Sequence, residues 1–269
     1  MLVTVRGLVV GEVVASDNAK YIHVLTAESG KLSALVRGAV RLRGRFTSST
    51  QVFCYSEFVL YERNGKYTLD DASLIENYFS LCRDYDTLTL ASYIISAADY
   101  LSVDEQPDAE LLRLTLNTLW ALSHREKLDR RLVKGAFEMR AAGLSGLAPD
   151  LTACRGCGKR ELDRAYLSVM DGCIYCPDCM AERELCSRAE NDIRVDELRT
   201  AQILLPLEPP VLMAMRYSLY SEMGKLYSFS LDGKLVPEFA AACEKYFENQ
   251  LDHHFPVLDM LNLAPPEKD

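Results

Sequence analysis

The stretch that most constrains this chain is Cys154-Arg155-Gly156-Cys157, followed after eighteen residues by Cys176-Pro177-Asp178-Cys179. Two intervening residues let the backbone turn so that both sulfurs of a pair face one ion, and the longer gap suffices for a hairpin that brings the pairs together. The spacing reads as one structural zinc site, tetrahedral and closed, held by Cys154, Cys157, Cys176 and Cys179. Cys173 and Cys186 lie close enough in sequence to replace a ligand, although the symmetric pairs are preferred. The nine cysteines are odd in number and cluster between Cys154 and Cys186, which points to metal in a cytoplasmic chain rather than a disulfide framework. A redox role would need a thioredoxin-like βαβ setting, which the flanking sequence lacks.

The first 80 residues carry the periodicity of strands. Leu2 to Val14, Tyr21 to Thr26, Lys31 to Val36, Gln51 to Tyr61 and Lys66 to Ile75 read as five short strands, Gln51 to Tyr61 is rich in β-branched and aromatic residues, and Asn64-Gly65 is a strong type I′ hairpin signal. Five strands without an intervening helix fit a small barrel of the oligonucleotide-binding (OB) kind, with an SH3-like barrel as the alternative. After Ser80 the spacing becomes helical. Helices are expected from a Thr87 cap through Leu101, from Pro107-Asp108 through Trp120, and from Leu128 to Ala142 with Gly143 as a left-handed stop. Three more are expected over Val195 to Leu205, Val211 to Met223 and Pro237 to Leu251. The fold class is therefore α+β, divided into a five-stranded barrel over residues 1–80, a helical body over 81–150 and 183–269, and an inserted zinc module over 151–182. No apolar run is long enough for a membrane span, and the first twenty residues lack a signal core, so a soluble protein is expected.

The formal charge of -9 argues against a polyanionic partner until it is resolved along the chain. Residues 1–80 hold nine Lys or Arg against eight Asp or Glu, so the acid belongs to the remainder. Residues 31–56 contain Lys31, Arg37, Arg41, Arg43 and Arg45 and no carboxylate at all, so a positive field can exist locally on a negative molecule. These five cations are the candidate phosphate contacts. Tyr21, Phe46, Phe53 and Tyr55 are the candidate stacking residues, with burial in the barrel core as the competing role.

Taken in order, these motifs resemble the RecO family of bacterial recombination mediators. The resemblance is carried by Gly7-Leu8-Val9-Val10, Leu25-Thr26 before Ser29-Gly30-Lys31, and the basic run Arg37-Gly38-Ala39-Val40-Arg41-Leu42-Arg43-Gly44-Arg45-Phe46. It continues through Ala136-Phe137-Glu138-Met139-Arg140, Gly143, Pro149 and Leu151, with Asp171-Gly172 ahead of the second cysteine pair. Val40 stands where the family usually has a basic residue, and Gly44 where it has serine. The resemblance implies a non-catalytic protein that binds single-stranded and double-stranded DNA and anneals complementary strands. With RecR it would load recombinase onto gaps covered by single-strand-binding protein, in the bacterial cytoplasm at the nucleoid.

Two other classes compete. A zinc-containing adaptor with little direct DNA contact would suit the acidic body. A zinc deaminase would draw on His124-Arg125-Glu126, but it leaves Cys154 and Cys157 without a role, and Tyr175 precedes Cys176 where that signature has proline. Phosphate-loop, nucleophile-elbow and H-E-x-x-H motifs are missing, so no enzyme class leads.

Overall fold

A computed structural model describes residues 1–38, 46–125, 127–182 and 203–261 of the chain. Strands β1 (Leu2–Ser16), β2 (Ala19–Thr26), β3 (Gly30–Arg37), β4 (Cys54–Arg63) and β5 (Lys66–Asn77) close a barrel in the order β1-β2-β3-β5-β4. The chain passes from β3 to β4 on the far side of β1, and β3 and β5 make the parallel pairing, which gives the five-stranded OB barrel expected from the strand count. Alternation decides which face is core. Ile22, Val24, Leu32, Ala34, Val36, Phe58 and Leu60 point inward and are buried together with Val5 and Val9. Asn64 and Gly65 have φ of 53° and 71°, the doubly left-handed turn that their short side chains permit, and Arg63 and Lys66 pair across it.

The contacts divide the chain into two compact units, Met1–Arg130 with Phe255–Asp269, and Arg131–His254. In the first unit, helices α1 (Tyr85–Leu101) and α2 (Ala109–His124) join the barrel through a second cluster that includes Leu8, Leu25, Phe53, Leu81, Ile95, Leu112 and Leu119. The cap of α1 is Asp84 rather than Thr87. Its carboxylate accepts the Thr87 N–H at 2.8 Å, and Thr87, three residues on, adds its own hydroxyl to the same carboxylate. Asp108 caps α2 in the same way on Leu111, as Pro107-Asp108 foretold. Phe255, arriving from the far end of the sequence, meets Tyr93 and Tyr100 of α1 edge-on at 5.3 and 5.8 Å.

The second unit holds α3 (Arg130–Leu144, shared at its first residue), α4 (Pro209–Tyr220), α5 (Val236–Leu251) and a four-stranded sheet. Its strands β6 (Asp150–Cys154), β7 (Ala165–Ser168), β8 (Cys173–Tyr175) and β9 (Leu204–Leu207) lie in the order β6-β8-β7-β9. The helix expected to reach Leu205 therefore does not do so. Residues 195–202 lie outside the described chain, and Leu204 onward is strand, where Pro206 cannot sustain a helical hydrogen bond. Gly143 lies inside α3, and the left-handed residue is Gly146. Within α3, Lys134 is buried with its ammonium 2.6 Å from both Glu138 and Glu244.

Candidate nucleic-acid face and four-cysteine centre

On the outer face of the barrel, Val13, Tyr21 and Leu35 stand opposite one another across β1, β2 and β3. Because Lys20, Ile22 and Val24 turn inward, Tyr21 must turn out. It is 41% exposed, beside Val13 at 57% and Val14 at 71%. One rung further, Ala19 pairs with exposed Arg37, and the Gly38 N–H donates to the Asn18 carbonyl at 2.6 Å. The chain thus leaves β3 for the basic segment beside the β1–β2 turn. It is fastened again on the other side of that segment, where the buried Lys20 ammonium bridges the Glu12 carboxylate at 2.6 Å and the Thr50 carbonyl at 2.8 Å.

The five expected cations do not form one described cluster. Arg37 lies on the outer face, whereas Arg41, Arg43 and Arg45 fall outside the described residues. Lys31 occupies the opposite end of β3, roughly 20 Å away at 3.3 Å per residue. There its ammonium donates to the Asp99 carbonyl at 2.9 Å and sits 3.3 Å from the Asp99 carboxylate. Of the aromatics, Phe53 is buried, Phe46 and Tyr55 are partly buried against the two barrel clusters, and Tyr21 alone is exposed. The sequence reading missed Tyr61, which is 49% exposed on β4; the inward turn of Phe58 and Leu60 was the signal that would have found it.

The four-cysteine centre is built by sheet register. The parallel pairing of Cys154 with Ile174, together with the Arg155 N–H on the Ile174 carbonyl at 2.8 Å, sets the end of β6 beside the end of β8, where Cys176 follows. Residues 177–182 are helical and carry Cys179 back over the first pair. Ligand atoms of Cys154, Cys157, Cys176 and Cys179 all lie within 4.8 Å of one another, an arrangement able to hold one metal ion. The Cys157 and Cys176 sulfurs are 3.8 Å apart, and the Cys176 N–H donates to the Cys154 sulfur at 3.2 Å. At Gly156 a Cβ would come within 2.8 Å of the Cys179 sulfur, so the tight turn of the first pair admits no side chain there. Burial pushes the Cys154 thiol up, but N–H groups of Cys157, Cys176 and Gly156 outweigh it and hold the thiol at about 6, whereas the neighbouring sulfurs push the Cys179 thiol up.

Cys173 packs in the same small core with Tyr175 and Met180 without belonging to the group of four, and Cys186 lies outside the described residues. His124 ends α2 with its ring stacked on Trp120 at 4.8 Å and is no member of the metal-competent group. Glu126 is not among the described residues.

A family described as the Recombination protein O N terminal matches residues 1–78, and one described as the Recombination protein O C terminal matches residues 82–189. A DNA repair protein RecO of Acetivibrio thermocellus is 28% identical over 255 residues, 95% of this chain and 94% of its own length. One from Caldicellulosiruptor bescii is 27% identical over 96% of this chain and 97% of its own, and one from Clostridium novyi is 30% identical over 61% and 63%.

Proposed function

The chain belongs to the RecO family of DNA repair proteins, and from that premise we propose that it acts without catalysis, by holding single-stranded DNA against the outer face of β1, β2 and β3. The observation that carries this reading is the row of exposed Val13 and Tyr21 and half-buried Leu35 beside exposed Arg37. The described chain leaves that face at Gly38 and resumes at Phe46, and the acid-free run with Arg41, Arg43 and Arg45 lies between them in sequence. Stacking on Tyr21 supplies sequence-tolerant affinity, and the arginines supply the counterion-release part. Lys31, tied to Asp99, contributes to the field rather than as a free contact. Duplex binding, strand annealing and, with RecR, recombinase loading at gaps covered by single-strand-binding protein are the activities this platform would serve, in the cytoplasm at the nucleoid. No helix among the described residues is long and apolar enough to cross a membrane.

We assign zinc to the cysteine centre. A tetrahedral tetrathiolate with bonds of about 2.3 Å has sulfur–sulfur edges of roughly 3.8 Å, the separation found between Cys157 and Cys176. Bound there, zinc would supply folding energy and no open position for a substrate. Cys154, Cys157, Cys176 and Cys179 would hold it, and the amide donors to sulfur would spread its charge.

The joint variant Arg41→Glu/Arg43→Glu is expected to bind single-stranded oligonucleotide at least about tenfold more weakly, with the slope of log affinity against log salt lower by about 2. Fluorescence anisotropy at several salt concentrations measures both, and unchanged affinity overturns the basic-segment assignment. Tyr21→Ala should cost about 1–3 kcal/mol of binding for one unstacked base, with little change in salt slope. If neither variant weakens DNA while co-precipitation with RecR or single-strand-binding protein survives nuclease treatment, the protein is instead an adaptor with little DNA contact. The Lys31–Asp99 tie is the observation on that side.

A further inference from the structure

The barrel is closed unevenly. Among the described residues, β5 pairs with β3 only at Tyr67 and Thr68, whereas β4 lines its other side from Lys66 to Asn77. Past those two rungs, the side of β5 away from β4 meets no other described strand. No residue from Asp70 to Asn77 is buried, and Leu74 and Ile75 stand 39% and 49% exposed. Asp70 and Ile75 are the extra residues of two bulges against β4, so Asp71 to Leu74 forms a regular stretch framed by irregular ends. A strand edge of this kind, with aliphatic side chains beside its peptide groups, is a template for another strand.

We propose that the open edge of β5 docks an extended segment of a partner protein by strand addition, and that the segment alternates basic with aliphatic residues. The charges choose the occupant. Asp70 and Glu76 give the edge two exposed carboxylates, and β5 has no cation after Lys66. An antiparallel pairing of two copies centred on Ser73 would set Asp70 against Glu76 twice, and like charges placed opposite each other destabilise a ladder. A second copy is therefore disfavoured by the same carboxylates that attract a Lys-bearing or Arg-bearing strand. Backbone hydrogen bonds would supply affinity, and Leu74 and Ile75 would select the aliphatic positions. Nucleic acid is excluded from this edge by its charge, so the docking surface and the DNA face do not compete.

The test uses the full-length protein and two fluorescein-labelled eight-residue peptides, one alternating valine with lysine and the other valine with glutamate. The lysine peptide should bind saturably and slow amide exchange across residues 70–77, and the glutamate peptide should not bind. Leu74→Lys and Ile75→Lys, both at exposed positions, should each weaken the lysine peptide at least about tenfold, by the loss of apolar contact and the repulsion between cations. Asp70→Asn/Glu76→Gln should weaken it several-fold and flatten its salt dependence. Affinity for single-stranded oligonucleotide should stay unchanged in all three variants. Absence of binding, equal binding of the glutamate peptide, protection elsewhere in the chain, or indifference to Ile75→Lys would each overturn the proposal. So would sedimentation showing a dimer that Ile75→Lys dissociates, which would give the edge to a second copy.

Discussion

Cys154→Ser is expected to abolish stoichiometric zinc binding and to unfold the cysteine-bearing end of the sheet of β6 to β9, while the barrel still binds single-stranded oligonucleotide within about threefold of the unaltered protein. The expectation follows from where the ligands sit: Leu151, Ala165, Leu167, Ile174 and Leu207 bury part of the sheet in apolar packing, but the ends of β6 and β8 are joined through the cysteines. Its strands are three to five residues long, and the small core at the cysteine end holds Cys154, Cys176 and the partly buried Cys179 together with Cys173, Tyr175 and Met180. Structural zinc contributes on the order of 10 kcal/mol to folding, comparable with the roughly 5–15 kcal/mol stability of a whole domain. Metal analysis, far-ultraviolet dichroism and the visible spectrum of the cobalt-substituted protein measure the outcome. A Cys154→Ser protein with one zinc per chain and an unaltered melting curve would show that the ligands are wrongly assigned. Cys173→Ser should retain its metal and an all-thiolate cobalt spectrum, because Cys173 stands outside the group of four.

The second large effect lies at Lys134. Its side chain is 2% exposed and that of Glu138 is fully buried, with Glu244 reaching in from α5. Burial alone would lower the Lys134 pKa, but the two carboxylates outweigh it and hold the pKa above the ordinary lysine value. A raised lysine pKa contributes stability that is present below the unfolded value and is lost only as pH rises through the folded one, so the pair is intact at neutral pH. Lys134→Met leaves the Glu138 carboxylate buried beside apolar neighbours and should cost about 3–5 kcal/mol. Lys134→Met/Glu138→Leu removes both charges and should recover most of that loss, because a buried pair replaced by apolar groups of similar volume is often near neutral. Urea unfolding of the three proteins decides the matter. A double variant no more stable than Lys134→Met alone would mean that the lysine stem, rather than its charge, matters.

Much of the fold is legible because its signals are local. The inward alternation of Ile22 and Val24, the Asn64-Gly65 turn and the two cysteine pairs each act over a few residues, and the structure places all of them as their chemistry dictates. What escapes the sequence is nonlocal or competitive. Lys31 meets Asp99 from 68 positions away, so its membership of a basic run says nothing about its partner. Asp84 and Thr87 are both good caps, and only the path of the chain chooses between them. The run Ile203 to Leu207 is too short to betray its state, and its role as β9 depends on β7, some forty residues earlier. Lys134 reads as a polar position on an amphipathic helix until α5 covers it with Glu244.

The edge-on packing of Phe255 against Tyr93 and Tyr100 sets an order of events during synthesis. The barrel and α1 emerge from the ribosome early, but the aromatic ring that completes their unit is added after the whole of Arg131–His254 has been translated. Until then the nascent first unit lacks the ring that packs against Tyr93, which is fully buried in the finished structure. Any product terminated short of Phe255 lacks that contact permanently, and premature release near the end of the message should therefore yield a stickier protein rather than a merely shortened one.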